Sequence, residues 1–492
     1  ALMAVSFWPL TSSREALRAG MLPFFMTLAV YAFWKMTNDE LQMTNEERSA
    51  TAQLVTRRSS FVILFGLAVA LTLHVYLAAR VSWLLFPAFL AYLALAHRAA
   101  FRRLWRLVLA GLLLAALLVA PMFLYLRAHP EMQTRLDMLD QPLQDIAAVH
   151  LGPIWLNARD ALLAFVWPGF GDQFLAYNIP GRPVLDAVSA VFFVAGLLVC
   201  LGRWRRPVYA FLLLWFLTGI IPSLVTGPTA NTTRNMAALP AVYLIVAVGA
   251  VAVVGWGVGR MTNDESRMTN EARSLFVTRR SSLVNLLVLW VAFFSARDYF
   301  VRWGDSAAVR GAYQHTLVES IHHLEANYPD ADPILFSTVY PGPAHDSSIA
   351  LVVAADSPAI SEAARWVDAR YALIIPPTET LAVIPYSTPP HPAFIPLLGA
   401  LETVDLRPDD LDPRFTFYQI DPDQSRALAR SLLADGPAAN FNGAIELLGA
   451  RWLQESVRPG ETAELLTLWR VLDPARAGPV VPPSFTTDAV LF

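Results

Sequence analysis

The sequence is short of cysteine, of charge and of phosphate-loop signatures. One cysteine, Cys200, stands among 492 residues. It excludes an internal disulfide and paired-cysteine zinc spacing, and its place in an apolar run marks it as a small membrane-facing hydrophobe. Only 16% of residues are charged and the formal net charge is -3, which argues against nucleic acid as a partner. There is no Gly-rich loop followed by Lys and Ser or Thr, and no nucleophile-elbow serine. A nucleotide-sugar enzyme on the cytoplasmic side therefore has no support. The chain opens at Ala1 without methionine or a charged leader, and its first residues read as the tail of a span. It is expected to be N-terminally incomplete.

What is present is apolar surface in bulk. Hydrophobic residues make up 55% of the chain and mean hydropathy is +0.44, too much for one globular core. Residues 104–126 and 236–258 are nearly free of charge, each long enough to cross roughly 30 Å of hydrocarbon as a helix. The same criterion predicts eight spans, near residues 18–34, 61–78, 82–97, 104–126, 184–201, 207–225, 236–259 and 283–300. The expected fold is thus an α-helical polytopic membrane bundle. Basic residues set its orientation. Lys35, Arg48, Arg57 and Arg58; Arg98, Arg102, Arg103 and Arg106; Arg203, Arg205 and Arg206; and Arg260, Arg267, Arg273, Arg279 and Arg280 all fall on one side of eight spans. That side is expected to be cytoplasmic. The loop 127–183, the loop 226–235 and everything after about 301 then lie outside.

Two further features bear on organisation. The run Met36-Thr-Asn-Asp-Glu, then Met43-Thr-Asn-Glu, recurs at Met261 and Met268, and each copy continues to Val-Thr-Arg-Arg-Ser-Ser. Copies so far apart in cytoplasmic loops read as inserted repeats near 36–60 and 261–282, not as an architectural repeat. After residue 301 the composition turns polar. Residues 333–339 and 371–375 are expected as strands with a helix over 362–368 between them, giving an extracytoplasmic α/β segment at 301–435. Residues 436–492 read as the start of a β-sandwich-like domain, with strands around Pro459-Gly460.

Ordered along this bundle are Ala1-Leu-Met-Ala-Val-Ser-Phe-Trp-Pro with Arg14 and Arg18, His74-Val-Tyr76 with Arg80, Pro121 to Tyr125 with His129-Pro130 and Arg135, Trp167-Pro-Gly-Phe-Gly-Asp172 with Asn178, Pro180-Gly-Arg-Pro183 with Asp186, and Asn231 with Arg234 and Pro240. Over residues 1–300 this order resembles the dolichyl-phosphate-mannose-protein mannosyltransferase-like glycosyltransferases of GT-C type, and 441–470 resembles the β-rich domain appended to many of them. The resemblance implies transfer of a sugar from a polyprenyl-phosphate donor to a protein, lipid or glycan acceptor at the outer face of a bacterial cytoplasmic membrane, with inversion. It also places the catalytic carboxylate in a loop upstream of Ala1, so no catalytic residue is assigned.

On the donor side, Arg80, Arg135 and Arg234 are the candidates for the carrier phosphate, since a guanidinium presents a planar fork of donors. The bland alternative is snorkelling to lipid headgroups. Tyr76, Trp167, Asp172 and Asn178 are the candidate substrate contacts, against readings as belt aromatics and solvated loop residues. His74, inside a span, reads first as a packed histidine. Asp137, Asp140, Asp145, Asp160 and Asp172 could hold a divalent cation against phosphate oxygens, but their spacing matches no metal loop and no metal ligand is assigned. Residues 146–166 suit a helix lying on the membrane surface. A transporter or other lipid- or polysaccharide-handling protein shares the many spans, and an inactive gene product fits the inserted repeats. The absence of symmetry between halves and the large external C-terminal region favour the enzyme.

Overall fold

The computed structural model describes the chain except for residues 15–17, 42–50, 130–143, 146–147, 227–230, 260–283, 343–344, 433–438 and 477–492. The chain divides into two compact units, 1–306 and 307–492.

The first unit is helical. Among the described residues six helices are long and apolar enough to cross a membrane: Arg18–Thr37, Ala79–Ala96, Arg98–Ala128, Pro207–Val225, Met236–Val253 and Val284–Trp303. Two further expected spans form the shorter apolar helices Ser59–Val75 and Ala187–Gly202. The outward surface is apolar in a way no water-soluble bundle tolerates. On Arg98–Ala128 alone, Leu113, Leu117, Phe123 and Leu124 are 58–70% exposed, which suits a hydrocarbon solvent. Lipid gives no hydrophobic drive between helices, so close packing must hold them. Phe33 supplies one centre: its ring meets Phe65, Phe86, Phe89 and Phe211 at centroid separations of 5.5–6.2 Å. Glycines supply another, because Gly196 and Gly249 let Ala187–Gly202 and Leu239–Gly259 touch backbone to backbone.

The bundle has two chemically distinct ends. At the first, the loop after Ala187–Gly202 is tied to the turn between Leu85–Ala96 and Arg98–Ala128. Tyr92 donates to the Trp204 carbonyl at 2.9 Å, and His97 Nε2 meets the Arg205 carbonyl at 2.8 Å. The basic groups Arg98 to Arg106 and Arg203 to Arg206 therefore gather at one end. Because successive helices run in opposite directions, Arg80, Asp186 and the segment around Arg234 belong to the other, here the far end. There Asp186 caps Ala187–Gly202, its Oδ1 accepting from the Val188 and Ser189 amides at 3.1 Å. Asp186→Ala should cost about 1 kcal/mol, read as lowered thermal stability in detergent with an unchanged oligomeric profile.

The residues 146–166 contain the helix Gly152–Leu163, started by Pro153. Trp155 and Leu156 stay exposed on it, while Asn157 donates to the Leu224 carbonyl at 3.2 Å.

The second unit holds two sheets. In the larger, β1 (Ile334–Ser337), β2 (Arg365–Val367), β3 (Thr380–Pro385), β4 (Gly399–Asp405) and β5 (Arg414–Ile420) are ordered β2-β1-β3-β5-β4. β1 runs parallel to β2 and β3, and β5 is antiparallel to β3 and β4. β1 is buried throughout and its four residues are all apolar except Ser337, as expected of a central parallel strand. His315–Asn327 packs Ile321 and Leu324 against Ile334, Phe336, Val383 and Phe417.

The expected helix over 362–368 is corrected by this sheet. Glu362-Ala-Ala favours helix locally, but Arg365–Val367 pairs with β1, and Trp366 stacks on Phe336 at 4.7 Å. The helical part of the crossover lies upstream, at Asp346–Val353 and Pro358–Ser361. The expected strand over 371–375 is corrected too. Both flanks of β1 are already occupied, and the Tyr371 and Ala372 amides turn back onto the Asp368 carbonyl at 2.9 Å. Beyond it, β6 (Ala439–Phe441), β7 (Ile445–Trp452) and β8 (Leu465–Val471) form one antiparallel three-stranded sheet. Gly460, at φ +94°, turns the chain between β7 and β8.

Candidate functional site

The far end of the helical unit is built around a buried carboxylate. Asp172, fully buried, accepts the Phe174 amide on Oδ1 at 2.9 Å. Its Oδ2 accepts the Thr232 amide at 2.9 Å and the Thr232 hydroxyl at 2.6 Å. One side chain thus clamps the loop after residue 166 to the short helix Asn231–Arg234. Trp8 closes the clamp from a third direction, its indole donating to the Thr232 carbonyl at 2.9 Å. Asn178, also buried, holds the loop's own shape by donating to the Asp172 and Arg182 carbonyls at 3.0 and 2.9 Å. Below them Ser223 donates to Asn235 at 2.7 Å, and the Trp215 indole donates to the Ala237 carbonyl at 2.8 Å.

A second anchor joins the same loop to the last helix. Arg182 bonds Asp298 at 2.7 Å with both side chains largely buried, and its guanidinium lies 4.1 Å from the centre of the Phe7 ring. Asp298 is shared with Arg302 at 3.1 Å, and Trp303 donates to the Leu175 carbonyl at 2.8 Å. An acid at the edge of an apolar helix is costly unless paired. Asp298 is paired twice.

The residues singled out from sequence fall unequally around this clamp. Asp172 and Asn178 come together inside it, where they bond protein. Arg234 sits half-buried on the clamped helix. Arg80 lies half-buried in the 3-10 turn Leu77–Leu84, and Arg80 alone of the two has no hydrogen bond or ion pair among the described residues. That turn and the Asn231–Arg234 helix both pack on Pro207–Thr226. Tyr76, half-buried, precedes the turn and packs on the bundle core. Trp167 is 60% exposed and stands apart from the buried pair. His74 is exposed, not packed, and its Nδ1 lies 2.9 Å from the Ala70 carbonyl one helical turn back. Arg135, Asp137 and Asp140 lie outside the described residues.

Chemically, the far end offers cations and spent acids. Asp172, Asp186 and Asp298 are each hydrogen-bonded or ion-paired, and Asp160 pairs with Arg159 at 2.7 Å. Among the described residues no three His, Cys, Asp or Glu side chains are grouped to hold a metal. The sequence reasoning missed Thr232, Trp8 and the Arg182–Asp298 pair. Only the last left a signal: Asp298 is the one acid inside the predicted span 283–300, and such an acid implies a partner.

Neither a family model nor a curated protein sequence matches this chain. Among solved structures, the archaeal oligosaccharyltransferase AglB from Archaeoglobus fulgidus, in complex with an inhibitory peptide and a dolichol-phosphate, is similar over 64% of this chain and 41% of its own, at 14% identity and a TM-score of 0.35. The chain spans less than half the length of that protein. A likeness this loose leaves the function to be argued from the chain's own residues.

Proposed function

We propose that this chain is a GT-C-type membrane glycosyltransferase that takes a sugar from a polyprenyl-phosphate donor and passes it to an acceptor at the outer face of the membrane, with inversion. The observation that carries the reading is the arrangement of cations at the far end. Arg80 has no anionic partner among the described residues, and Arg234 is held on a helix that a buried carboxylate and an indole lock in place. Such positioning is what a phosphate leaving group asks for: donors fixed in advance where negative charge develops. The basic loops at the opposite end support placing the far end outside. The resemblance of residues 1–300 to this enzyme class supplies the donor.

Roles follow from burial. Arg80 and Arg234 bind the carrier phosphate, and Arg135, in the separate external loop 127–183, joins them. Asp172 and Asn178 shape the substrate site from behind by fixing the loop and the Arg234 helix. Exposed Trp167 offers a face for a sugar ring, and Tyr76 borders Arg80. No residue is assigned as the proton acceptor.

The test is carrier binding by the purified chain in lipid nanodiscs, followed by native mass spectrometry with a polyprenyl phosphate. Arg80→Ala and Arg234→Ala should each weaken binding about tenfold, roughly the 1.4 kcal/mol of one charge-assisted contact. Equal binding by wild type and both folded variants contradicts the assignment.

A further inference from the structure

The 307–492 unit has a cleft that the proposed transfer reaction does not use. It opens outside the C-terminal ends of β1 and β3, the place where open α/β sheets receive ligands. Phe336, Val383 and Phe415 form its apolar floor, and its volume is about 130 Å³. It is a small, partly open space, fit for one small ring and not for a chain of them.

Its polar rim is only partly satisfied. Arg310 bonds Asp410 Oδ1 at 2.5 Å and Asp409 at 3.0 Å. Burial alone would lower the Arg310 pKa, but the bonds to Asp410 and Asp409 outweigh it and raise it. The Asp410 side chain is 4% exposed, yet its Oδ2 accepts no hydrogen bond among the described residues. A buried carboxylate oxygen left bare costs free energy until a donor arrives. Asp412 Oδ1 accepts the Ser387 amide, leaving its other oxygen without a partner among the described residues. Gln314, a non-glycine residue at φ +55° that also lines the cleft, has an amide with no side-chain partner among them. Holding such a residue in the left-handed region is unfavourable unless its surroundings or a role require it. Tyr340 adds a 44% exposed ring beside the mouth.

We infer that this cleft binds a single hydroxyl-rich ring of monosaccharide size, its hydroxyls donating to Asp410 and Asp412 and accepting from Gln314, with Tyr340 against its apolar face. A metal fits less well. Among the described residues no three potential ligands are grouped, and the Asp410 and Asp346 carboxylates already meet Arg310 and His345. The inference is independent of sugar transfer in the helical unit.

The experiment is saturation-transfer NMR on the full chain in detergent micelles, with D-glucose, D-mannose, D-galactose and N-acetyl-D-glucosamine, and with putrescine and calcium chloride as competitors. At least one sugar should bind saturably. Gln314→Ala, which removes no side-chain bond among the described residues, should weaken it at least tenfold with an unchanged melting temperature; Asp410→Asn should weaken it as well, with a lowered melting temperature because it also takes the charge from the buried pair with Arg310. No binding by any of the four sugars to folded protein overturns the inference. Binding that survives both substitutions, or displacement by putrescine or calcium at matched concentration, overturns it as well.

Discussion

Asp172→Ala should destabilise the helical unit by about 3–5 kcal/mol and abolish carrier binding. The carboxylate accepts at least three bonds, and two of the donors, the Phe174 and Thr232 amides, are main-chain groups that cannot turn away. Each buried donor left unpaired costs about 1–3 kcal/mol. Water could restore those bonds only by entering a fully buried site. The loss reaches function because the Thr232 bonds fix the helix that ends in Arg234. Asp172→Asn is informative beside it: one amide oxygen can serve Phe174, but the amide nitrogen then faces the Thr232 N–H, donor against donor. It should fall between wild type and Asp172→Ala. Asp160→Ala, removing a partly exposed neighbour pair, should change stability by less than about 0.5 kcal/mol. Graded heating in detergent followed by size-exclusion chromatography measures all three. An Asp172→Ala protein with wild-type melting would contradict the clamp.

Gly249→Ala is the second large effect. A Cβ built at Gly249 lies 1.8 Å from the Phe192 carbonyl oxygen and 2.6 Å from the Gly196 amide nitrogen. Both contacts are backbone, so no side chain can rotate to relieve them. The Gly196 position mirrors this, 2.0 Å from the Ile245 carbonyl oxygen. Ala187–Gly202 and Leu239–Gly259 must separate along their whole crossing to admit a methyl group. Overpacking of this kind costs about 1–3 kcal/mol or more. In lipid the lost van der Waals contact is not repaid by burying apolar surface elsewhere. Gly202→Ala, with nothing within 4 Å of its Cβ, is the matched control and should leave melting unchanged. Equal melting of the two variants would mean that the two helices do not cross as closely as described.

The helical layer was legible because its signal is length. An apolar run of 16 or more residues leaves few alternatives, and the eight expected segments all carry helix. The α/β unit was less legible because its signal is local and its outcome is not. Glu362-Ala-Ala looks helical until Arg365–Val367 is seen to complete a sheet with β1, some thirty positions away in the chain. The far-end site was legible in part. Trp167-Pro-Gly-Phe-Gly-Asp172 announced a tight turn ending in an acid, but nothing near Asp172 in sequence points to Thr232, sixty residues on. A carboxylate's neighbours decide whether it serves a ligand or the fold, and those neighbours come only with the fold. Arg80 and Arg234 were chosen for charge and place at span ends, which sequence does carry.

The central claim is sugar transfer outside the membrane. It is tested most directly by supplying membranes that contain the product of the whole gene with radiolabelled polyprenyl-phosphate sugars on the outer face and following label into lipid, protein and glycan fractions. The account predicts transfer by the wild type that falls at least tenfold in an Arg80→Ala/Arg234→Ala double variant of unchanged melting temperature. Transfer that is the same in both proteins, or none from any donor with the protein folded, would contradict it.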